Sequence, residues 1–366
     1  MDRLRRAAAE FGCPPSDLTG PEALRELRAQ RSYDGQAATI AALRPDNVDS
    51  VSLPPAGFRP TPIGDIACGV GTKLMEELTQ LQYPLKEGME RAKEFGPRRA
   101  YCDPALRDGK LYGRLLKRLY GSGLVEYRAS STCQVGVFFV FKKDGTLRLI
   151  LDGRVPSELF HRAPKVHLAT GGAFAGLEVD GHGPVFVSGV EIANSFFYTM
   201  ELPEYFRQFF GMPKIRAGLA GVTHLEDGTP VSPHDLITPC FKCPPMGWSM
   251  SLWICQKLHE GIVRDIPDVT HDTRFVDHRF VPLISSTGIA HTQYVDNFVA
   301  LSLSDSLGKV SSAAAKVALE GEGLPCHPVE HSAGGSTLGW EFGEAWPTLG
   351  LNHRLRWRLR LAFGRC

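Results

Sequence analysis

The sequence has little net charge and no long apolar run, and each absence excludes a class of protein. The formal net charge is only +1 over 366 residues, so no overall basic charge supplies affinity for phosphates, and any such affinity must come from local clusters. No stretch reaches the roughly eighteen apolar residues that a membrane-spanning helix needs. The first ten residues include Asp2 and Glu10 and lack an apolar core, which argues against a signal peptide. A hydrophobic content of 43% predicts a soluble globular protein of roughly two or three lobes.

The cysteines are too scattered to form an obvious metal site. There are nine, an odd number spread along the chain, which predicts free thiols in a reducing, intracellular compartment, either cytoplasmic or nuclear. Cys240 and Cys243 are the one close pair. No second CxxC or CxxH accompanies them, so we interpret the pair as structural and not as a zinc site.

Two β-prone runs flank Tyr294-Val295-Asp296-Asn297 and predict a hairpin with an acidic tip. We expect Asp296 and Asn297 to form the turn, because both residue types tolerate positive φ. Asp296 would then project from rigid backbone, as a metal ligand should. An acidic tip is also an ordinary solvated turn, so the pattern alone does not decide between the two readings.

Segments before and after this hairpin give it its context. Residues 185–197 form a β-rich run, and the strand within it is expected to stop at the carboxylate of Glu191. Prolines and a glycine then break the chain at residues 244–247, after which Ser249 is expected to cap a helix running to about Val263. Asp305 is expected to cap a later helix that ends near Glu320.

The earliest of these segments is a second hairpin. Apolar strands at residues 138–141 and 147–151 flank Lys142-Lys143-Asp144-Gly145. Asp-Gly is a strong signal for a tight turn, so the two strands are expected to pair.

Together these segments resemble the reverse transcriptase family of retroelements. The resemblance lies in the order and character of residues 142–154, 187–203, 245–256, 294–297 and 323–340, within a region of about 100 to 345. It implies an α/β (α+β) right-hand polymerase with an antiparallel palm sheet backed by helices. The implied domains are an N-terminal region of unknown role at 1–98, fingers at 99–180, a palm at 181–345 and a basic segment at 346–366. The thumb is expected to be missing or minimal, which suggests a fragment of a longer product.

The basic C-terminal segment is open to two interpretations. Arginines alternate with apolar residues there, at Arg354, Arg356, Arg358 and Arg360. This pattern is typical of the start of a thumb or a backbone-binding edge, and equally of an amphipathic strand.

The resemblance implies a role for each candidate site residue. Glu191 and Asp296 are the expected metal ligands, and with Asn297 they are the expected catalytic residues. The expected substrate-binding residues are Lys143, Arg148, Phe196, Met246, Gly247 and Gln256. Nucleotidyl transfer uses two Mg²⁺ (or Mn²⁺) ions about 3.5 to 4 Å apart, and hard cations demand carboxylate oxygens.

Several of these residues have an alternative interpretation. Lys143 and Arg148 suit the charge of a triphosphate, although exposed basic turns are common. Phe196 stands five residues beyond Glu191, where the family carries an aromatic that excludes the 2′-hydroxyl, and it could equally be a core residue. Gln256 is as readily a polar residue that faces water from an apolar helix.

Two residues depart from the family pattern. Glu191 stands where the first motif has Asp, and Asn297 stands where the hairpin has a second Asp. The first change is the more serious, because a displacement of about 1 Å can cost roughly a hundredfold in rate. Glu remains a competent Mg²⁺ ligand.

The resemblance therefore implies an RNA-directed DNA polymerase that uses an RNA template, a DNA or RNA primer and deoxynucleoside triphosphates, with activity weakened by Glu191 and Asn297. The alternative is a catalytically inactive element copy that retains at most nucleic-acid binding. A palm polymerase that makes RNA is disfavoured by Phe196, since such an enzyme needs a polar residue there.

Overall fold

The computed structural model describes residues 40–96, 100–142, 144–193, 196–345, 347–352 and 356, and of Phe196 only the backbone. The fold is mixed α/β, with helices packed among several small sheets, most of which are antiparallel. None of the helices in these ranges is both long enough and apolar enough to cross a lipid bilayer.

The elements of the described ranges follow one another in mixed order. The helices are α1 (Val70–Gln80), α2 (Leu85–Phe95), α3 (Gly109–Gly121), α4 (Arg154–Ser157), α5 (Gly171–Ala175), α6 (Glu204–Arg207), α7 (Ala217–Ala220), α8 (Ser251–Val263) and α9 (Leu307–Gly321). Short 3₁₀ helices lie at Val48–Ser50, Ile63–Asp65, Pro104–Arg107 and Phe196–Tyr198. The strands are β1 (Ile40–Ala41), β2 (Thr61–Pro62), β3 (Val125–Arg128), β4 (Gly136–Phe141), β5 (Leu147–Asp152), β6 (Glu178–Val179), β7 (Phe186–Glu191), β8 (Met200–Glu201), β9 (Ile215–Arg216), β10 (Leu236–Phe241), β11 (Leu283–Ile284), β12 (Ala290–Tyr294), β13 (Asn297–Ser302), β14 (Glu330–Ala333), β15 (Gly335–Thr337), β16 (Trp340–Phe342) and β17 (Leu349–Leu351).

The four-stranded antiparallel sheet with the order β12-β13-β7-β14 positions the candidate site. In its register Phe298 lies opposite Val190, and Asn297 lies opposite Glu191. Successive strand residues point to opposite faces. Phe298 and Val190 therefore share one face, and Asn297 and Glu191 share the other.

Each face of this sheet packs against its own apolar cluster. Phe298 and Ala300 belong to the large core that includes residues of α8 and α9. Val299 and Leu301 belong to a smaller cluster built around Phe174 and other aromatic side chains. Burial on both faces explains why β13 is almost continuously apolar and does not alternate with polar residues.

The predicted early hairpin is present. β4 and β5 pair antiparallel from Gly136 opposite Asp152 to Phe141 opposite Leu147. On its other edge β4 pairs with β1, where Ile40 lies opposite Val140. Part of the N-terminal region without an assigned role is thus built into the same sheet.

The two helix caps predicted from sequence are wrong. Helix α8 begins at Ser251, two residues beyond Ser249, and its N-cap is Met250, with no side-chain capping bond. Helix α9 begins after Ser306, and Asp305 instead contacts His331. The apolar faces of the two helices are buried in the core, so packing determines where they begin more than capping does. The predicted C-terminal bounds, about Val263 and Glu320, agree with the structure.

The two interpretations of the C-terminal arginines stay open. Arg354, Arg358 and Arg360 lie outside the described residues. Arg356 is described and bonds to the Glu341 carboxylate at 2.8 Å.

Candidate nucleotidyl-transfer site

The hairpin at Tyr294-Val295-Asp296-Asn297 turns one residue earlier than predicted. Tyr294 lies opposite Asn297 as the last pair of β12 and β13, so the two-residue loop is Val295-Asp296. Asn297 is the first residue of the strand, and the expected turn pair Asp296-Asn297 is wrong. The positive φ falls on Val295, at 56°. This is a rare conformation for a β-branched residue.

Glu191 ends β7 beside this loop, as the sequence predicts for its strand. Asn297 lies directly opposite Glu191, and the amide of Ile192 donates to the Asp296 carbonyl at 2.9 Å. Two acidic residues more than a hundred positions apart in the chain are therefore neighbours at one sheet edge. Glu191 is exposed and Asp296 is half-buried.

Asn297 links the Asp296 carboxylate to the sheet face that carries Glu191. Its side chain shares a sheet face with Glu191, since directly opposed residues point the same way with Cβ atoms about 5 Å apart. Its Nδ2 donates to Asp296 Oδ1 at 2.8 Å. The Asp296 carboxylate therefore reaches toward the face that carries Glu191. In place of a third carboxylate, the amide of Asn297 supplies a donor that holds Asp296.

Two side chains of α8 bind the backbone of the strained residue. Gln256 Oε1 accepts from the Val295 amide at 2.9 Å, and His259 Nδ1 lies 2.8 Å from the Val295 carbonyl oxygen. Val295, Gln256 and His259 are each at most 1% exposed. We call this set of contacts the turn clamp. It offsets a left-handed conformation that costs a β-branched residue about 1 to 2 kcal/mol.

The turn clamp determines the tautomer of His259. A carbonyl only accepts, so His259 must carry its proton on Nδ1. Burial lowers the pKa of His259 to about 4, which keeps the ring neutral at physiological pH. No sequence pattern indicates a role for this histidine, because no local signal shows which backbone group a buried helix residue will contact.

Gln256 is buried, so the alternative interpretation in which it faces water is wrong. Its Nε2 donates to the Gln293 carbonyl at 3.1 Å and to Glu260 Oε1 at 3.0 Å. Glu260 also accepts from Arg274 at 2.6 Å. Burial alone would raise the pKa of Glu260, but Arg274 and the bonds from Gln256 and Lys257 bring it below its ordinary value. Gln256 thus stabilises the β12-β13 hairpin through hydrogen bonds from α8.

Three more of the predicted substrate-binding residues, Arg148, Met246 and Gly247, lie on two segments that touch. Gly247 has a φ of 103°, and a Cβ there would stand 2.4 Å from the Leu151 carbonyl oxygen at the end of β5. The loop with half-buried Met246 therefore packs directly on the early hairpin, and only glycine permits this approach. Arg148 lies on β5, opposite Val140. Burial raises the pKa of Tyr198, in the 3₁₀ helix that follows β7, and the charge of Arg148 opposes that rise.

The structure does not describe the side chains of two predicted site residues. Lys143 lies outside the described residues, and the side chain of Phe196 is also outside them. Their assigned roles stay predictions.

The donors at the sheet edge suit a hard cation, but they are few. Within the described ranges, no group of three or more His, Cys, Asp and Glu side chains is arranged to hold a metal ion. Mg²⁺ is usually bound by one or two carboxylates together with water and substrate phosphates. Glu191 and Asp296 fit that mode.

A scan of models of known protein families found no match to this chain, and a search of curated proteins found none either.

Proposed function

We propose that the chain is an RNA-directed DNA polymerase of the reverse transcriptase type. The single observation that carries the proposal is that the backbones of Glu191 and Asp296 are neighbours at one sheet edge. Two acids, one at the end of β7 and one in the loop that leads into the adjacent β13, would form the minimal protein part of a two-metal site for nucleotidyl transfer. In this proposal the sheet containing β7 and β13 is the palm, and the β4-β5 hairpin belongs to the fingers.

Each candidate site residue has a proposed role that follows from its side-chain chemistry. Glu191 and Asp296 would hold Mg²⁺, which supplies a Lewis acid for the primer 3′-hydroxyl and the triphosphate. Arg148 would offer charge to phosphate oxygens from β5, and Lys143 from the turn. Met246 and Gly247 would border the incoming base. An RNA template, a DNA or RNA primer and deoxynucleoside triphosphates are the proposed partners.

Primer extension on an RNA template, with Mg²⁺ or Mn²⁺, tests the proposal. Asp296→Ala should abolish extension, whereas Asp227→Ala should leave it unchanged, because Asp227 is an exposed acid in the loop of residues 222–231. Glu191→Asp should raise extension by about ten- to a hundredfold, if the added methylene misplaces the carboxylate. Extension by Asp296→Ala at the rate of the unmodified protein would refute the proposal.

The second candidate is an inactive copy that binds nucleic acid without extending it. The two departures, Glu191 and Asn297, favour this reading. This candidate would be supported if neither the unmodified protein nor Glu191→Asp extends a primer while both still bind an RNA–DNA hybrid in a filter assay.

Choice of sugar is a separate part of the proposal. Phe196 is proposed to exclude the 2′-hydroxyl, so Phe196→Ala should raise ribonucleotide use relative to deoxynucleotide use. Discrimination by a clash is lost when the clash is removed, while use of the correct substrate changes little. Equal discrimination in both proteins would place Phe196 in the core and leave the choice of sugar undetermined.

A further inference from the structure

The peptide that joins Val295 to Asp296 is held on both sides. Its carbonyl oxygen, that of Val295, lies 2.8 Å from His259 Nδ1. The next carbonyl, that of Asp296, accepts from the Ile192 amide of β7 at 2.9 Å. The amide on the other side of Val295 donates to Gln256. Rotation of the peptide group between Val295 and Asp296 would break at least one of these hydrogen bonds.

The direction of the Asp296 side chain depends on that peptide. Left-handed φ at Val295 is unfavourable, so the turn would relax toward another conformation without partners for its backbone groups. Rotation about the Val295–Asp296 peptide would move the Asp296 carboxylate away from Asn297 and from the face of Glu191. A displacement of about 1 Å is enough to disturb a metal site.

We propose that His259 is a positioning residue of the Glu191–Asp296 site: its Nδ1–H fixes the Val295 carbonyl and thereby the direction of the Asp296 carboxylate. The inference rests on the proposed function, because it assigns His259 a role in that site. His259 does not touch the substrate and is not itself a catalytic residue. Its contribution is comparable with that of side chains that orient metal ligands from behind.

The molecule contains a matched control in His291. Like His259 it is buried, and burial lowers its pKa to about 4 as well. Its Nε2 lies 2.9 Å from the Thr270 carbonyl oxygen, and its Nδ1 lies 2.9 Å from Nε2 of the Gln293 side chain. It therefore supports the same sheet, and none of its described hydrogen bonds reaches the loop Val295-Asp296.

Binding of Mn²⁺ alone, followed by electron paramagnetic resonance, tests the inference. His259→Leu should weaken Mn²⁺ affinity by about tenfold or more, the usual effect of removing a residue that orients a ligand. His259→Gln keeps an N–H donor and should recover most of the affinity, and His291→Leu should leave it unchanged. His259→Met, which fills the space flexibly, replaces the leucine variant if that protein does not fold, with the same expectation. Unchanged affinity without the donor, or an equal loss in His291→Leu, would overturn the inference.

Hydrogen exchange separates this inference from the proposed function. The amides of the loop should exchange faster in His259→Leu than in His291→Leu, whether or not metal binds. An unmodified protein that binds no Mn²⁺ would refute the proposed function, while the exchange result would still show whether His259 holds the turn. Equal loop exchange in the two variants would refute the positioning role.

Discussion

The β4-β5 hairpin and the β12-β13 hairpin each turn through a residue with left-handed φ, Gly145 at 80° and Val295 at 56°. Gly145 pays no steric penalty, and a Cβ at its position would meet nothing within 4 Å. Val295 carries a branched side chain and is buried. The first turn is stabilised by its own residues, since Asp144 Oδ1 accepts from the amide and the hydroxyl of Thr146. The second is stabilised by Gln256 and His259, nearly forty positions away in the chain.

This difference suggests a division of roles. A turn that is stabilised by hydrogen bonds among its own residues depends little on the rest of the fold, and changes in its conformation cost little free energy. A strained turn that depends on a distant helix persists only when the surrounding core is complete. We expect the β12-β13 hairpin to be rigid when the protein is folded and the more vulnerable of the two to changes in the core.

Of the changes considered, a fall in pH should have the largest effect on stability, and it should act on the β12-β13 hairpin more than on the β4-β5 hairpin. The pKa values of His259 and His291 fall from 6.5 to about 4 on folding. The unfolded chain therefore binds protons at a higher pH than the folded protein does. The free energy of unfolding is at its full value above pH 6.5 and decreases as the pH falls from 6.5 toward 4. The loss is roughly 3 kcal/mol for each histidine. Urea unfolding at pH 7.5 and pH 4.5 measures it, and His291→Leu should reduce the difference.

The same acid experiment distinguishes the two hairpins. Residues 136–152, which form the β4-β5 hairpin, contain no histidine. Hydrogen-exchange protection should therefore fall more at β12 and β13 than at β4 and β5 when the pH is lowered. Equal loss in both would show that the histidines do not act locally.

Gln256→Leu should have the next largest effect. The substitution leaves the buried Val295 amide without its acceptor and Glu260 without one of its donors, which costs roughly 3 kcal/mol. The free energy of unfolding by urea measures the loss. Lys257→Leu is a neighbouring control on the same helix, because its side chain is partly exposed and bonds only to Glu260 among the described contacts. A smaller loss in Gln256→Leu than in this control would contradict the turn clamp.

Gly145→Ala should have a smaller effect. An alanine Cβ has room at this position, so only the left-handed backbone opposes the change, at about 1 kcal/mol. The melting temperature should fall by a few degrees, while the Mn²⁺ affinity of the site stays the same. Gly247→Ala is the contrasting variant, because the close approach to Leu151 adds a clash to the backbone cost. Equal losses for the two glycines would show that the early hairpin is under strain of another kind.

Asp144→Ala should have the smallest effect. Asp144 is exposed, and its bonds to Thr146 lower the pKa of its carboxyl group. Water can replace those bonds when the carboxylate is removed. The melting temperature should change less than in Gly145→Ala, and a larger fall would mean that the turn depends on its side-chain bonds more than on its glycine.

The sequence by itself determined the elements whose signals are local. The pairing around Asp144-Gly145, the strand that ends at Glu191 and the end of α8 near Val263 were all predicted, because turn chemistry and apolar patterning act over a few residues. The neighbourhood of Glu191 and Asp296 was expected only through the resemblance of ordered motifs. Their roles, and those of Lys143 and Phe196, stay predictions.

Only the tertiary structure decided how the candidate site is built. A rule for turn residues favours Asp296-Asn297, yet the register of β12 and β13 put the positive φ on Val295. That conformation is stable because α8 brings Gln256 and His259 against its backbone, and no local pattern encodes such a contact. Helix starts were missed for the same reason, since burial against the sheet outweighs a capping bond. Long-range packing can support a locally unfavourable conformation when the buried partners satisfy its hydrogen bonds.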